Sequence, residues 1–206
     1  MKAKSIVLLL VIVAALAVLF YSFTGSQDPT AYLDQIKKER TEKDQYMRSS
    51  GESPFAEQKE KFNELVYFPA DPDYKVNADL IPIEQKQAVV LTTNDGKEQH
   101  YIQYAYADFD LGGKHNRLVI LEVMEEGATR GNLFLAFGDE TSARETYGAG
   151  RYLDVRKAEG SNNITLDFNK AYNPYCAYAP TYSCPLPPRE NLLDVAILAG
   201  EKNYEH

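Results

Sequence analysis

The chain has 206 residues, of which 44% are hydrophobic and 25% charged, and its formal net charge is −8. This length accommodates one or two domains, the composition is that of a folded protein, and the acidic balance argues against nucleic acid as a partner. Two cysteines, three histidines and no tryptophan exclude a multi-disulfide mini-fold, a zinc finger and a multi-cluster metalloprotein.

The first predicted element is an apolar segment near the N-terminus. Residues 6–23 are almost entirely apolar and would measure about 27 Å as a helix, close to the thickness of a bilayer core. Lys2 and Lys4 precede the segment, so the positive-inside rule places the N-terminus in the cytoplasm and the rest of the chain outside the membrane. We therefore predict that residues 1–27 are a membrane anchor whose partner is the bilayer. A cleaved signal peptide is the alternative.

A charged helix is predicted to follow the anchor. Asp28 and Pro29 are typical of a helix start, with Asp as the cap and Pro in the first turn. The apolar face of this helix is thin, and Arg40 and Lys43 interrupt it. The pattern predicts that residues 28–52 form a solvated helical spacer that docks only in part.

A second helix is predicted to begin at Ser53 and Pro54 and to end before Pro69. Its apolar residues, Phe55, Phe62, Leu65 and Val66, are separated by offsets that place them on one helical face. We expect that face to pack on a sheet.

The remainder of the chain predicts a mainly β domain over residues 53–206. Short β-type runs separated by turn signals, among them Asn94, Asp95 and Gly96, indicate an antiparallel sandwich or barrel of about seven strands. With the two N-terminal helices, the fold class is α+β. The runs are 75–80, 88–93, 98–107, 118–124, 132–137, 151–155, 164–168 and 195–199.

Residues 167–191 form a segment rich in proline and tyrosine, here called the Pro-rich ribbon. Proline lacks an amide donor, so the ribbon is predicted to be an irregular loop held by its side chains. Cys176 and Cys184 lie within it, and in an oxidising compartment the simplest prediction is a disulfide between them.

Several of these segments resemble one family. Residues 147–153 and 167–174, the two cysteines with the prolines that follow, Asn191 and residues 199–202 are similar to the bacterial and archaeal family catalogued as domain of unknown function 1684. The resemblance covers about residues 33–202. It implies one folded unit and no established activity, ligand or cofactor. Similar proteins also occur in cytosolic settings, where a stable disulfide is not expected.

Two positions depart from the pattern of that family. Ala143 stands where glycine is common, and Leu192 stands where a larger aromatic or basic side chain is common. Either change is expected to alter the shape of a pocket.

Common catalytic motifs are missing from the sequence. Gly148 and Gly150 lack the third glycine and the following helix of a dinucleotide fingerprint, so they are interpreted as a turn into a strand. The spacing of the two cysteines is not typical of zinc, and His100 and His115 are interpreted as surface residues of a strand and a turn. We predict no metal and no cofactor.

What remains is a group of polar residues in and around the ribbon. Asp167, Glu201 and Arg151 are the candidate catalytic residues of a hydrolase that would use one carboxylate as acid and the other as base. An alternative interpretation is that these side chains satisfy the backbone of the ribbon, with an ion pair between Arg151 and Asp167. The candidate ligand-binding residues are Arg151, Tyr152, Asn169, Tyr172, Asn173 and Asn191.

The sequence leaves three functional hypotheses. The leading one is a non-catalytic binding or structural module of the cell envelope, with a glycan or a protein as its partner. The second is a hydrolase acting on a polar envelope ligand, a glycan or an ester. The third is a subunit of an envelope complex, which predicts an exposed apolar patch.

Overall fold

The computed structural model describes residues 28–124, 127, 129–158 and 160–205. The predicted anchor, residues 1–27, lies outside the described residues. Among the helices of the described part, none is long and apolar enough to cross a membrane.

The domain is built on one antiparallel sheet of seven strands, curled into a half-barrel, which confirms the predicted mainly β fold. The strand order is β6-β5-β4-β3-β1-β7, and β2 pairs with β3 beyond the end of β1. The strands are β1 Lys75–Pro82, β2 Ala88–Thr92, β3 Glu98–Leu111, β4 Lys114–Val123, β5 Leu133–Phe137, β6 Arg151–Asp154 and β7 Asn163–Asp167.

The inner face of the curled sheet carries the main core. Leu118 and Ile120 of β4, Leu135 of β5 and Leu166 of β7 are fully buried there. Phe137 and Phe168 meet across the opening of the half-barrel, with ring centroids 5.3 Å apart. Residues from the two ends of the strand order therefore share one hydrophobic interior.

The outer face is covered in part by the Pro-rich ribbon. Ala136 and Tyr152 alternate with the inward-facing residues of β5 and β6, and they pack beneath Tyr172 and the two cysteines of the ribbon. Short 3-10 turns interrupt the ribbon at Phe168–Lys170, Tyr175–Ala177 and Arg189–Asn191. The predicted irregular loop is confirmed.

One α-helix, α1 (Pro29–Ser49), is present among the described residues. The side chain of Asp28 caps it by accepting from the amide of Thr30, as the sequence predicted. Tyr32, Ile36 and Met47 are buried on its docked face. The division into a spacer over residues 28–52 and a domain over residues 53–206 stays a prediction.

The predicted second helix is wrong. Residues 53–68 form turns and a 3-10 turn, Lys59–Lys61. Phe55 and Phe62 are buried as expected, but they pack with Met47 of α1 and with Tyr178 and Tyr204, not on the sheet. The spacing of the apolar residues fits a helix, but the backbone finds its hydrogen-bond partners elsewhere in the domain.

Those partners are distant in sequence. The amide of Asn63 donates to the hydroxyl of Tyr204, and the amide of Leu65 donates to Asp44 of α1. The carbonyl of Val66 accepts from the amide of Lys202. Because the backbone groups are satisfied in this way, no helical ladder is needed.

The predicted strand 195–199 is also wrong. The segment belongs to none of the sheet's strands. Backbone groups of this segment bond to the buried side chains of Arg151 and Asp139. The sequence alternates as a strand does, but no neighbouring strand pairs with it.

Candidate functional site

The predicted site residues form several separate clusters, all inside the protein. The first is an ion pair between Arg151 and Asp139, whose side chains are each 1% exposed and whose atoms Nη2 and Oδ2 lie 2.9 Å apart. The predicted pair of Arg151 with Asp167 is wrong. Residue 151 pairs with Phe137 in the ladder of β5 and β6, which brings Asp139 close, whereas Asp167 ends β7 at the other end of the strand order.

This ion pair fixes the C-terminal segment 195–201. The guanidinium of Arg151 donates to the carbonyls of Ile197, Ala199 and Glu201. Asp139 in turn accepts from the amide of Ile197. Burial lowers the pKa of Arg151, and the attraction of Asp139 opposes that shift. The pair supplies donors and an acceptor to a segment that lacks a neighbouring strand.

Glu201 is the centre of the second cluster. Its carboxylate lies 2.5 Å from the Nζ of Lys43 on α1, and it accepts from the amide of Asn173 at 2.9 Å. The hydroxyls of Tyr178 and Tyr67 also donate to it. Burial and this carboxylate raise the pKa of Tyr67 and of Tyr178. The cluster ties α1, the segment before β1 and the ribbon together.

Asp167 and Asn169 form the third cluster. The hydroxyl of Tyr32 on α1 donates to Asp167 at 2.7 Å, and the amide of Asn169 donates to the same carboxylate. The side chain of Asn169 makes a two-way pair with the backbone of Asp71, accepting at 2.9 Å and donating at 2.8 Å. Burial and Asp167 raise the pKa of Tyr32. This cluster also docks α1 on the sheet.

Asn191 is fully buried and joins two strands. Its Nδ2 donates to the carbonyls of Val119 on β4 and Ala136 on β5, and its Oδ1 accepts from the amide of Val119 at 2.7 Å. The ladder between β4 and β5 covers only Leu121 and Glu122 of β4. The side-chain amide of Asn191 therefore bonds to the backbone groups of β4 and β5 at the point where the two strands no longer pair with each other.

The remaining candidates also have partners within the protein. The hydroxyl of Tyr152 donates to the carbonyl of Pro185 at 2.7 Å, and that of Tyr172 donates to Asp154 at 2.9 Å. Asn173 donates to the carbonyl of Lys202, while its own Oδ1 is buried without a partner. These side chains satisfy the backbone and neighbours of the ribbon.

The two cysteines are free thiols, so the predicted disulfide is not present in the structure. They are close neighbours nevertheless, because the amide of Cys176 donates to the sulfur of Cys184 at 3.2 Å. A hydrogen bond thus occupies the place where a covalent bond was predicted. Among the described residues, no group of three or more His, Cys, Asp or Glu side chains is arranged to hold a metal ion.

A concave groove lies between residues 51–63 and residues 178–182, with a volume of about 1000 Å³. Three aromatic residues line it, of which Tyr182 is half-buried while Phe55 and Tyr178 are buried beneath its surface. Polar and charged side chains complete its lining, among them Glu52, Gln58, Glu60, Lys61 and Asn63. We call this feature the aromatic groove. Sequence analysis missed it, since its two walls come from distant segments of the chain.

The family can now be identified. The model of the family described as "Protein of unknown function (DUF1684)" matches residues 60–202. The chain belongs to this family. The solution NMR structure of an uncharacterised protein of Haloarcula marismortui is similar to this chain, with 37% identity and a TM-score of 0.63 over 84% of this chain and 95% of that one. Comparison with the curated proteins finds no match.

Residue 143, which the resemblance singles out as a position for glycine, has an unusual backbone conformation in the structure. Ala143 has φ 61°, and it is the one residue other than glycine with positive φ in the described part of the chain. Glycine adopts this left-handed conformation without steric cost, whereas alanine pays a penalty for its Cβ atom. Leu192, the second departure, is 58% exposed, and its side chain packs against Gly138.

The glycines before β6 serve the turn that the sequence indicated. Gly150 has φ 89°, and a Cβ atom there would come within 2.6 Å of the carbonyl oxygen of Phe137. Only glycine fits this close approach. In this chain the packing of the turn accounts for Gly150, and no phosphate-binding role is needed to explain it.

Proposed function

We propose that this protein is a non-catalytic binding or structural module of the cell envelope. Residues 6–23 anchor it in the membrane with the N-terminus in the cytoplasm, and the β domain lies on the outer side. The apolar segment and its flanking lysines support the orientation. The partner is a polar polymer of the envelope, such as a glycan.

The observation that carries this proposal is the saturation of the candidate catalytic groups. Arg151 and Glu201 are each 1% exposed and Asp167 is 8% exposed, and all three are engaged by buried protein groups. A hydrolase needs an acid and a base that reach the substrate. Groups that are committed to holding the backbone support a structural role over a catalytic one.

The aromatic groove is the surface that we assign to the partner. Tyr182 is half-buried at its wall, with its ring 5.2 Å from that of Tyr175. Aromatic faces stack on sugar rings, while side chains such as Asn63 and Gln58 supply hydrogen bonds to hydroxyl groups. Glu52, Glu57 and Glu60 outnumber Lys61, so the groove favours neutral or amine-bearing sugars over acidic ones.

The anchoring predicts a defined topology. We expect the full chain to remain in the membrane fraction after alkaline carbonate extraction, and residues 28–206 to be digested by protease added to the outer face of intact cells. A variant with Leu8→Arg and Val13→Arg is expected to lose membrane retention, because each charge within the bilayer costs about 3 kcal/mol. Leu33→Arg, beyond the apolar segment, is the matched control. A wild-type chain that is released by carbonate would contradict the proposal.

The groove predicts binding of a polysaccharide. We expect the full chain in detergent micelles to co-sediment with at least one insoluble glycan of a panel that includes peptidoglycan, chitin and cellulose. Tyr182→Ala is expected to weaken that binding about tenfold, since it removes an aromatic stacking surface. Tyr104→Ala is the matched control, because Tyr104 is a half-buried tyrosine on β3, outside the lining of the groove. Equal losses in the two variants, or no retention on any glycan, would argue against the assignment.

A further inference from the structure

The Pro-rich ribbon brings two thiols together at its contact with the sheet. Cys176 lies in the 3-10 turn Tyr175–Ala177 and is half-buried, whereas Cys184 is 7% exposed. The amide of Cys176 donates to the sulfur of Cys184 at 3.2 Å. The sulfur of Cys176 in turn accepts from the hydroxyl of Tyr147 at 3.8 Å. One sulfur is thus reachable from solvent, and the other lies directly behind it.

Both residues are held firmly in this arrangement. Cys184 is fixed by two hydrogen bonds with Asn94 in the turn between β2 and β3: its amide donates to Oδ1 at 2.7 Å, and its carbonyl accepts from the amide of Asn94 at 3.0 Å. The turn that carries Cys176 closes through the amide of Ala177, which donates to the carbonyl of Pro174. The two sulfurs are therefore held together by the fold of the domain.

The surroundings favour a thiolate on Cys176. The hydroxyl of Tyr147 donates to its sulfur at 3.8 Å, and the hydrogen bond from Cys184 is the largest cause that lowers the pKa of Cys176, to about 7. The same contact raises the pKa of Cys184. Asp95 opposes the ionisation of Cys176, but it is a weaker influence. Four tyrosines, which are ordinarily neutral at pH 7, are the other titratable side chains packed around the pair: Tyr152, Tyr172, Tyr175 and Tyr182.

We propose that Cys176 and Cys184 form a peroxide-reactive dithiol, in which Cys176 is the attacking thiol and Cys184 the resolving thiol. The difference in exposure assigns the two roles, and the contact between the sulfurs makes the second step intramolecular. The substrate class is a hydroperoxide, with hydrogen peroxide as the simplest member. This site adjoins the aromatic groove through Tyr182, but the reaction does not depend on glycan binding.

The reaction balances in two steps. The thiolate of Cys176 attacks one oxygen of hydrogen peroxide, the O–O bond breaks, and the leaving hydroxide takes a proton to become water. Cys176 is oxidised to a sulfenic acid while the peroxide is reduced. The sulfur of Cys184 then attacks that of Cys176, an S–S bond forms, and the sulfenic oxygen leaves as a second water with the proton of Cys184. A dithiol reductant such as dithiothreitol reverses the oxidation.

The test begins with the reduced full chain in detergent micelles. After treatment with hydrogen peroxide, mass spectrometry is expected to show the loss of two hydrogens and one peptide pair joined through Cys176 and Cys184. Dithiothreitol is expected to restore both thiols with the circular dichroism spectrum unchanged throughout. In Cys184→Ser, the sulfenic acid is expected to persist on Cys176 and to be trapped by dimedone. Cys176→Ser is expected to consume peroxide at least about tenfold more slowly.

Alkylation of the unmodified chain gives a measure that needs no variant at either cysteine. We expect iodoacetamide to modify Cys176 at least about tenfold faster than Cys184 at neutral pH, with a rate that rises through a pKa of about 7. Tyr147→Phe removes the hydroxyl donor, so that pKa is expected to rise and the rate at pH 7 to fall roughly threefold, with little change at pH 9.5. Tyr104→Phe is the control and is expected to leave both unchanged.

Three results would overturn the proposal. The first is that Cys184 is alkylated as fast as Cys176 in the folded chain. The second is that peroxide oxidises Cys176 to the sulfinic acid and no disulfide forms. The third is that dithiothreitol reduces the disulfide only after the chain unfolds.

Discussion

Asn191→Ala is expected to lower the free energy of unfolding by about 4 kcal/mol, because three buried backbone groups lose their partner at once. The amide and carbonyl of Val119 and the carbonyl of Ala136 all bond to this side chain, in a place where water has no access. Chemical denaturation of the full chain in detergent micelles, followed by circular dichroism, measures the change.

Two further variants separate the lost hydrogen bonds from the lost volume. Asn191→Asp keeps the size of the side chain and its acceptor oxygen, but an ionised carboxylate cannot donate to the carbonyls of Val119 and Ala136. This variant is therefore expected to be nearly as destabilised as Asn191→Ala at neutral pH. Glu190→Ala is the matched control in the same turn, where the side chain is exposed, and it is expected to change the stability by less than about 0.5 kcal/mol. If Asn191→Ala and Glu190→Ala have the same stability, the bridging role of Asn191 is wrong.

Arg151→Met is expected to destabilise the domain by about 3 to 5 kcal/mol, since it leaves the buried charge of Asp139 without its partner. It also removes the donor to the carbonyls of Ile197 and Ala199. Arg189→Met is the matched control, because Arg189 is exposed, and it is expected to have little effect. Thermal unfolding followed by circular dichroism compares the two variants.

A double-mutant cycle identifies the ion pair as the cause. Asp139→Asn combined with Arg151→Met removes both charges, so the loss in the double variant is expected to be smaller than the sum of the single losses by about 1 to 3 kcal/mol. Strictly additive losses would mean that the two side chains stabilise the domain independently. A purely catalytic role for Arg151 would not predict this coupling between the stabilities of the Arg151 and Asp139 variants, which are measured without substrate.

The sheet was largely predictable from the sequence. Alternation of apolar residues and the turn at Asn94, Asp95 and Gly96 predict eight runs, and seven of these are strands with limits within a few residues of the prediction. The strands β3 and β4 extend further than predicted, and the eighth run, 195–199, is not a strand. These signals are local, because each strand buries alternate side chains and each hairpin turn needs residues that adopt positive φ. The register and the strand order depend on distant contacts and were not predictable.

The docked face of α1 shows where local reasoning failed. Arg40 and Lys43 were taken to interrupt an apolar stripe, but they lie on the same face as the buried Ile36 and Met47. Arg40 donates to the carbonyls of Phe68 and Asn169, and Lys43 pairs with Glu201. Both side chains contribute aliphatic stems to the interface and place their charges on polar groups. The spacing of three and four residues between Ile36, Arg40, Lys43 and Met47 indicates one helical face. The charges on Arg40 and Lys43 argue against burial and concealed that face.

The role of the candidate site residues could not be read from the sequence for a related reason. Buried polar residues in a proline-rich segment have the same composition whether they hold a ligand or hold the backbone, so residue types alone did not distinguish the two. Arg151, Asn169 and Asn191 each bond to two or more main-chain groups. Which carbonyls lack a ladder partner is a property of the fold, and only coordinates reveal it.

Residues 201–204 contact α1 and the segment that follows it. Lys43 and Glu201, Asn63 and Tyr204, and Val66 and Lys202 meet although more than a hundred positions separate the members of each pair. During synthesis, the helix and the segment after it emerge long before these partners exist. The domain therefore closes only once residues 201–204 have left the ribosome.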